Sequence, residues 1–214
     1  MTRAPASASR RNWAEYYRRS AKRPPRELLT QVLNHVAWEG KSRSGGTAIE
    51  LGFGAGTDSL ELLRRKWKVL AIDGQDSAAA YLNRRVPSEF RGSLTCLVAP
   101  MEEVDLPAAG LIYASYALPF CQPKKFPALW SNIRNAVSPG GHFAGQLFGE
   151  DDEWSGEGEM TFHTAAQVRR MSEGFKIELF RETVEEGMSF AGPKHWHVFD
   201  VILGRPPLSG HRNR

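Results

Sequence analysis

The chain has 214 residues, 24% of them charged, and a formal net charge of +4. That length suits one domain, large enough to bury its own core without covalent or metal staples. Two cysteines are too few for a disulfide scaffold, and no uncharged apolar run reaches the roughly 18 residues a bilayer span needs.

The charge is unevenly spread. Residues 1–28 hold eight basic groups against two acids, and three more arginines follow Gly204, which leaves the body between them about −5. A nucleic-acid binder gathers its basic groups on the folded face that docks. Here they sit at the ends, so the expected organisation is a basic, partly disordered arm over residues 1–22, a single domain over 23–205 and a basic tail over 206–214. The opening MTRAPASASRR lacks the apolar core of a secretory signal. A cytoplasmic location is expected, which unpaired cysteines also favour.

Along the chain, Trp13, Tyr16 and Tyr17 cluster at helical spacing, and Pro24 and Pro25 open a helix whose apolar face is Leu28, Leu29, Val32 and Val36. Lys41 to Gly46 is polar and Gly-rich, a loop. From Thr47, short apolar runs alternate with amphipathic segments. Strands are expected over 47–51, 68–72, 94–98, 111–114 and 142–148, with helices over 57–65, 77–85 and 124–137. Such alternation predicts an α/β three-layer sandwich, a doubly wound and mostly parallel sheet. The last third differs. Thr164 and Gln167 form a capping box opening a helix to about Ser172. Two β-rich runs, 175–185 and 195–203, then follow without a helix between them. Joined by a loop containing Gly187, Gly192 and Pro193, they are expected to close the sheet as an antiparallel hairpin, seven strands in all.

The informative segment is Ile49-Glu50-Leu51-Gly52-Phe53-Gly54-Ala55-Gly56-Thr57. It leaves a strand and opens a helix, so it lies at the carboxyl edge of the sheet, where ligands of such folds bind. Glycines there permit a tight turn and a close approach to the backbone. A dinucleotide fingerprint needs glycine or alanine at position 57, which Thr57 denies. The carboxylate of Glu50 before the loop would repel a diphosphate and favour a ligand bearing an ammonium and a sulfonium. Asp73, at the end of the next strand, is placed to accept both hydroxyls of a ribose, with Gly74 beside it removing a side chain.

Glu50-x-Gly52-x-Gly54-x-Gly56 with Asp73 resembles motifs I and II of the class I, seven-stranded methyltransferases that use S-adenosylmethionine. Pro139-Gly140-Gly141 resembles the turn ahead of their fifth strand. The likeness runs from about Thr47 to Arg205 and is nearest to small bacterial enzymes acting on small molecules. It implies that Glu50 sits by the cofactor's ammonium, that Gly52, Phe53, Gly54 and Gly56 line its methionine and ribose, and that Asp73 and Gly74 meet the ribose. Met101 and Glu102 would flank the adenine, although Pro100 replaces an acid common there. Ser115 and Tyr116 would face the methionine part, and Tyr17 and Arg26 would cover the cofactor.

Methyl transfer from a sulfonium is an in-line displacement in which alignment does most of the work, and a general base is needed only if the acceptor must lose a proton. No catalytic residue is therefore fixed by the motif. The candidates are His163, His195 and His197, the last two on one face of a strand with Trp196 on the other. Those three could also ligate a metal, but structural histidines are the preferred reading, with no metal expected. Trp154 lies where the family places substrate contacts, in an acid-rich segment read as a solvated loop. Cys121 is read as inert, and Phe120, Phe126 and Trp130 as helix packing. The expected function is a methyltransferase for a small-molecule acceptor, monomeric or homodimeric, producing S-adenosylhomocysteine. Its rivals are an RNA or protein methyltransferase anchored by the basic arm, and a non-catalytic interaction module that keeps the cofactor fold.

Overall fold

Apolar runs too short for helices build the sheet. A computed structural model describes residues 12–38, 46–156 and 158–208. Half of the expected arm (1–11), most of the loop at 41–46 and the end of the tail fall outside these residues. Strands β1 (Thr47–Leu51), β2 (Lys68–Asp73), β3 (Leu94–Val98), β4 (Ala109–Ala114) and β5 (Val137–Gly149) are parallel. The hairpin of β7 (Lys176–Ser189) and β8 (Gly192–Gly204) follows, β8 lying antiparallel to β5. The order is β3-β2-β1-β4-β5-β8-β7, and a two-residue strand β6 (Phe162–His163) pairs with the end of β5, an eighth strand beside the seven expected.

Covered on both faces, β1 and β4 are almost wholly buried, which is why they read as continuous apolar runs rather than alternating ones. On one face lie α2 (Glu27–Trp38), α3 (Thr57–Arg64) and α4 (Asp76–Arg85), contributing Leu29, Val32, Leu62 and Leu82. On the other lie α5 (Phe126–Ala136) and α6 (Ala165–Met171), where Phe126, Trp130 and Ile133 are core residues. The first helix, α1 (Trp13–Ser20), is capped by Asn12 Oδ1, which accepts from Glu15 N at 3.0 Å. The capping box of Thr164 and Gln167 is formed in both directions. No helix among the described residues is long and apolar enough to cross a membrane.

Two boundaries depart from expectation for identifiable reasons. The hairpin loop shrinks to Phe190 and Ala191, because the Ser189 hydroxyl closes the turn, donating to Gly192 O at 2.9 Å and accepting from Ala191 N at 3.1 Å. Gly187 is not a loop residue. It lies in β7 because the Trp196 ring crosses it, 3.1 Å from where a Cβ would stand. β5 begins at Val137, since Ala109 pairs with Val137 and Leu111 with His142, so the proline-glycine-glycine turn is an irregularity inside the strand, with Gly140 at φ +77°.

His163, on β6, packs its ring 4.7 Å from that of Phe126, and its buried Nε2 has no hydrogen-bond partner. Burial pushes its pKa down to about 4. Below pH 6.5 the unfolded chain therefore takes up a proton that the folded chain refuses until about pH 4, and stability falls as pH drops through that window. In chemical denaturation, His163→Leu should erase this loss, so that wild type weakens by about 2 kcal/mol relative to the variant between pH 7.5 and pH 5. Parallel pH profiles for the two proteins would refute the assignment.

Candidate active site

β1 lies between β2 and β4, where the strand order reverses, and the chain leaves it through Gly52 (φ +70°) and Gly54 (φ +55°) into α3. At this switch point opens a cavity of about 1230 Å³, above the roughly 300–1,000 Å³ of a typical single-ligand pocket. The loop contributes Gly52, Phe53 and Gly54, the end of β2 Asp73 and Gly74, and the segment after β3 Met101 and Glu102. Ser115 and Tyr116 close the end of β4, while Tyr17 and Arg26 come from the N-terminal helical region. Glu50 and Gly56 do not line it.

The glycines divide the work. A Cβ on Gly52 would collide with that of Ala117, and one on Gly56 with Leu82, so these two let the loop pack against its own fold. Gly54 is the loop glycine whose missing side chain opens toward the cavity, since a Cβ there would stand 3.4 Å from the Tyr17 ring. Gly56, expected against a ligand, is turned toward α4 instead. Glu50, expected beside a ligand's ammonium, is buried under the loop, its Oε2 accepting from the Ser59 hydroxyl on α3. Burial first, then the charge of Asp58, raises its carboxyl well above the usual range.

Asp73 holds the loop from the other side. Its Oδ2 accepts from Gly54 N at 2.9 Å, and Oδ1 accepts from Gln75 N at 3.0 Å and the Tyr17 hydroxyl at 3.3 Å. Burial raises its pKa, opposed by those donors. Burial and the Asp73 charge raise the pKa of Tyr17, which stays a donor.

Residues that sequence reasoning left unassigned complete the rim. Arg23 donates bidentately to Asp58, Nη1 to Oδ1 at 3.0 Å and Nη2 to Oδ2 at 2.6 Å, and Arg26 N donates to the same Oδ1 at 2.9 Å. This ties the α1–α2 connection to α3, and its signal was an acid in the first turn of a helix opposite an arginine-rich segment. Arg26 carries its guanidinium 4.8 Å from the Tyr116 ring centroid, and its Nε is buried without a hydrogen-bond partner. Tyr116 itself holds φ +53°, unusual for a residue with a side chain and frequent at functional sites.

An aromatic wall of Tyr116, Phe148, Trp154 and Trp196 faces the loop across the cavity. Phe120 also lines it, edge-on to Trp13 at 5.0 Å, rather than packing under a helix as expected. Behind the wall, the wholly buried Lys194 pairs with Asp152 and sits 3.5, 4.1 and 4.6 Å from the ring centroids of Trp196, Trp154 and Phe148. Of the acids read as a solvated loop, Glu150, Asp151 and Glu153 are exposed, but Asp152 is not. It also accepts from Trp154 N at 3.0 Å and so fixes the wall.

The histidines stay outside the cavity. His195 Nδ1 lies 2.6 Å from Glu186 Oε1. His197 Nδ1 accepts from Asp151 N at 3.2 Å while Nε2 meets Glu182 Oε1 at 3.0 Å, and its ring rests on Gly149. Both brace the turn after β5. They do not converge with His163 on a metal; among the described residues the grouping of that kind is His35, His142 and Glu178. The buried Cys121 thiol is pushed up to about 11 by burial, which keeps it protonated and unreactive.

Removing one partner of a buried ion pair leaves an uncompensated charge, at about 3–5 kcal/mol. Lys194→Met should cost that much in urea unfolding, and adding Asp152→Asn should recover part of it. A single variant within 1 kcal/mol of wild type would show that the pair does not hold the wall.

Residues 48–141 match the family model described as a methyltransferase domain. No curated protein sequence matches the chain. Among solved structures, TehB from Haemophilus influenzae is similar at TM-score 0.66 and 14% identity, over 80% of this chain and 62% of TehB, so the chain spans less than two thirds of that protein. The magnesium protoporphyrin IX methyltransferase ChlM from Synechocystis PCC 6803, with bound SAM, aligns at TM-score 0.64 and 12% identity over 92% of this chain and 85% of its own. The N-methyltransferase NodS from Bradyrhizobium japonicum WM9, in complex with S-adenosyl-L-homocysteine, aligns at 0.65 and 15%, over 92% of this chain and 100% of its own. At these identities the structures speak for the fold alone, a Rossmann-like fold shared with S-adenosylmethionine-dependent methyltransferases, and the methyltransferase-domain match spans its central part.

Proposed function

We propose that the protein transfers a methyl group from S-adenosylmethionine to a small-molecule acceptor. The observation that carries this reading is the pairing of Gly54 N with Asp73 Oδ2 at the switch point of the sheet, beside a cavity with room for two ligands. The residues present fit the cofactor. Asp73 spends three of its roughly four lone-pair sites on protein donors and keeps one for a ribose hydroxyl, and Tyr17 can yield another. The buried, unpartnered Nε of Arg26 suits the carboxylate of an amino acid. Gly54 leaves space that any side chain would fill. Met101 and Glu102 would meet the adenine.

When bound, S-adenosylmethionine supplies a methyl group already activated by its sulfonium. The chain's own residues then have to position and to keep dry. Tyr116, Phe148, Trp154 and Trp196 give the acceptor an apolar wall, and the loss of charge on methyl transfer favours such a wall over an aqueous one. α1 and the tip of the β7–β8 hairpin meet across the mouth, Tyr16 edge-on to Phe190 at 5.6 Å, which suits an acceptor small enough to be enclosed. ChlM and NodS, a protoporphyrin and an N-methyltransferase, are fold relatives that fit the same reading.

Titration calorimetry of the full chain with S-adenosylhomocysteine should show saturable binding. Asp73→Ala should weaken it by about 1–3 kcal/mol, roughly 5- to 150-fold, through lost charged hydrogen bonds. Gly54→Val should abolish it. Unchanged affinity in the Asp73 variant would misplace the ribose, and no binding by wild type would leave only an interaction module. For the acceptor, S-adenosylhomocysteine release against a compound panel is the readout. Steep salt dependence of substrate binding, lost on deleting residues 1–11, which leaves α1 and Tyr17 in place, would favour an RNA substrate instead.

A further inference from the structure

We propose that His35, His142 and Glu178 form a binding site for a divalent transition metal of the zinc type, at the edge of the sheet opposite the cofactor cavity. Three elements converge there. His142 enters the inner sheet on β5 opposite Gly204 of β8, and Gly204 in turn pairs with Lys176 of β7. Two residues on, the register of β7 slips between Ile177 and Leu179, so Glu178 has no partner in the ladder. A bulge of this kind re-aims a side chain. The Glu178 carboxylate turns so that Oε2 lies 3.2 Å from His142 Nε2 and 2.8 Å from His35 Nε2 on α2.

The surroundings are those of a prepared site rather than of a surface pair. His142 is 2% exposed and the Glu178 side chain 8%, while His35 is open enough to admit an ion. Gly204 provides the space, since a Cβ there would stand 2.7 Å from Glu178 Oε1 and 3.5 Å from His142 Nε2. The two imidazoles cross at 79°, 5.7 Å between centroids, so they are edge-on and not stacked. All three ligand atoms lie within 4.8 Å of one another.

Two imidazole nitrogens and one carboxylate oxygen are a ligand set that zinc accepts, with a fourth position for water. Ligands at the usual zinc distances stand about 3.3 Å apart in a tetrahedron, and the two carboxylate–imidazole distances of 2.8 and 3.2 Å each lie within about half an ångström of that. The competing cation is Lys176, whose Nζ lies 3.5 Å from the other oxygen, Oε1, on a side chain 68% exposed that can move into water. A bound ion would clip α2 to both β5 and β7. The chain entering α2 carries Arg26 at the cavity, so the clip would steady that side of the site without touching it.

The test uses the full chain, dialysed against a chelator and titrated with Zn²⁺ or Co²⁺. One equivalent should bind, Co²⁺ should give the visible bands of a four- or five-coordinate ion, and the thermal midpoint should rise reversibly with metal. His35→Gln and Glu178→Gln, which keep the size and much of the packing of the site, should each lower the affinity at least about tenfold while leaving the metal-free midpoint near wild type. A wild-type protein whose midpoint and cobalt spectrum ignore the metal would overturn the proposal, leaving Glu178 shared between two histidines by hydrogen bonding alone. Equal affinity in both variants would overturn it as well, by placing the ion elsewhere.

Discussion

The buried carboxylate of Asp73 is the constraint on which the cavity depends. It joins three elements that are far apart in sequence, taking N–H groups from the glycine loop and the start of α4, and a hydroxyl from α1. Burial raises its pKa, and the three donors oppose that. An ionised group at this place can tie down the loop and still recognise a sugar, because a carboxylate has about four acceptor sites. The backbone of Gly54 must come close for this to work, which is why that turn has no side chain.

The N-terminal segment is part of the site. A surface arginine cluster in a terminal arm would be worth little, but Arg23 meets Asp58 in a bidentate pair in which Asp58 is almost fully buried. Arg85, from α4, reaches the Ala21 carbonyl at 2.7 Å and the Thr57 hydroxyl at 3.3 Å. Thr57, which breaks a dinucleotide fingerprint, thus serves to seat the N-terminal cover on α3. Of the basic residues near the chain start, Arg19, Arg23 and Arg26 line the cavity.

Much of the fold was legible because its signals are local. Short apolar runs, a capping box at Thr164 and a glycine loop after β1 each depend on neighbours in sequence, and the parallel sheet closed by an antiparallel hairpin follows from them. Most of the cofactor-facing candidates line the cavity because the motif encodes the turn itself. What was illegible depends on contacts across the fold. Nothing near Gly187 announces that Trp196 will cross it, nor does the acid-rich stretch announce that Lys194, some forty residues on, will bury Asp152. Glu50 reads as a ligand-facing acid by position, yet Ser59 draws it under the loop. The histidine pair at 195 and 197 shares a face, as period-two alternation requires, but the side facing the cavity is that of Trp196.

The aromatic wall is where this chain can differ from others of the same fold. Its rings come from the end of β4, from β5, from the segment following it and from β8, and the Asp152–Lys194 pair joins the last two from behind. Burying an ion pair is seldom the most stable choice, since a well-packed apolar pair of the same volume does as well or better. An ammonium centred among three aromatic faces, however, fixes their mutual angles in a way that apolar side chains would not, because each ring must present its face to one point. The pair therefore exchanges stability for the shape of the wall that these rings give the cavity.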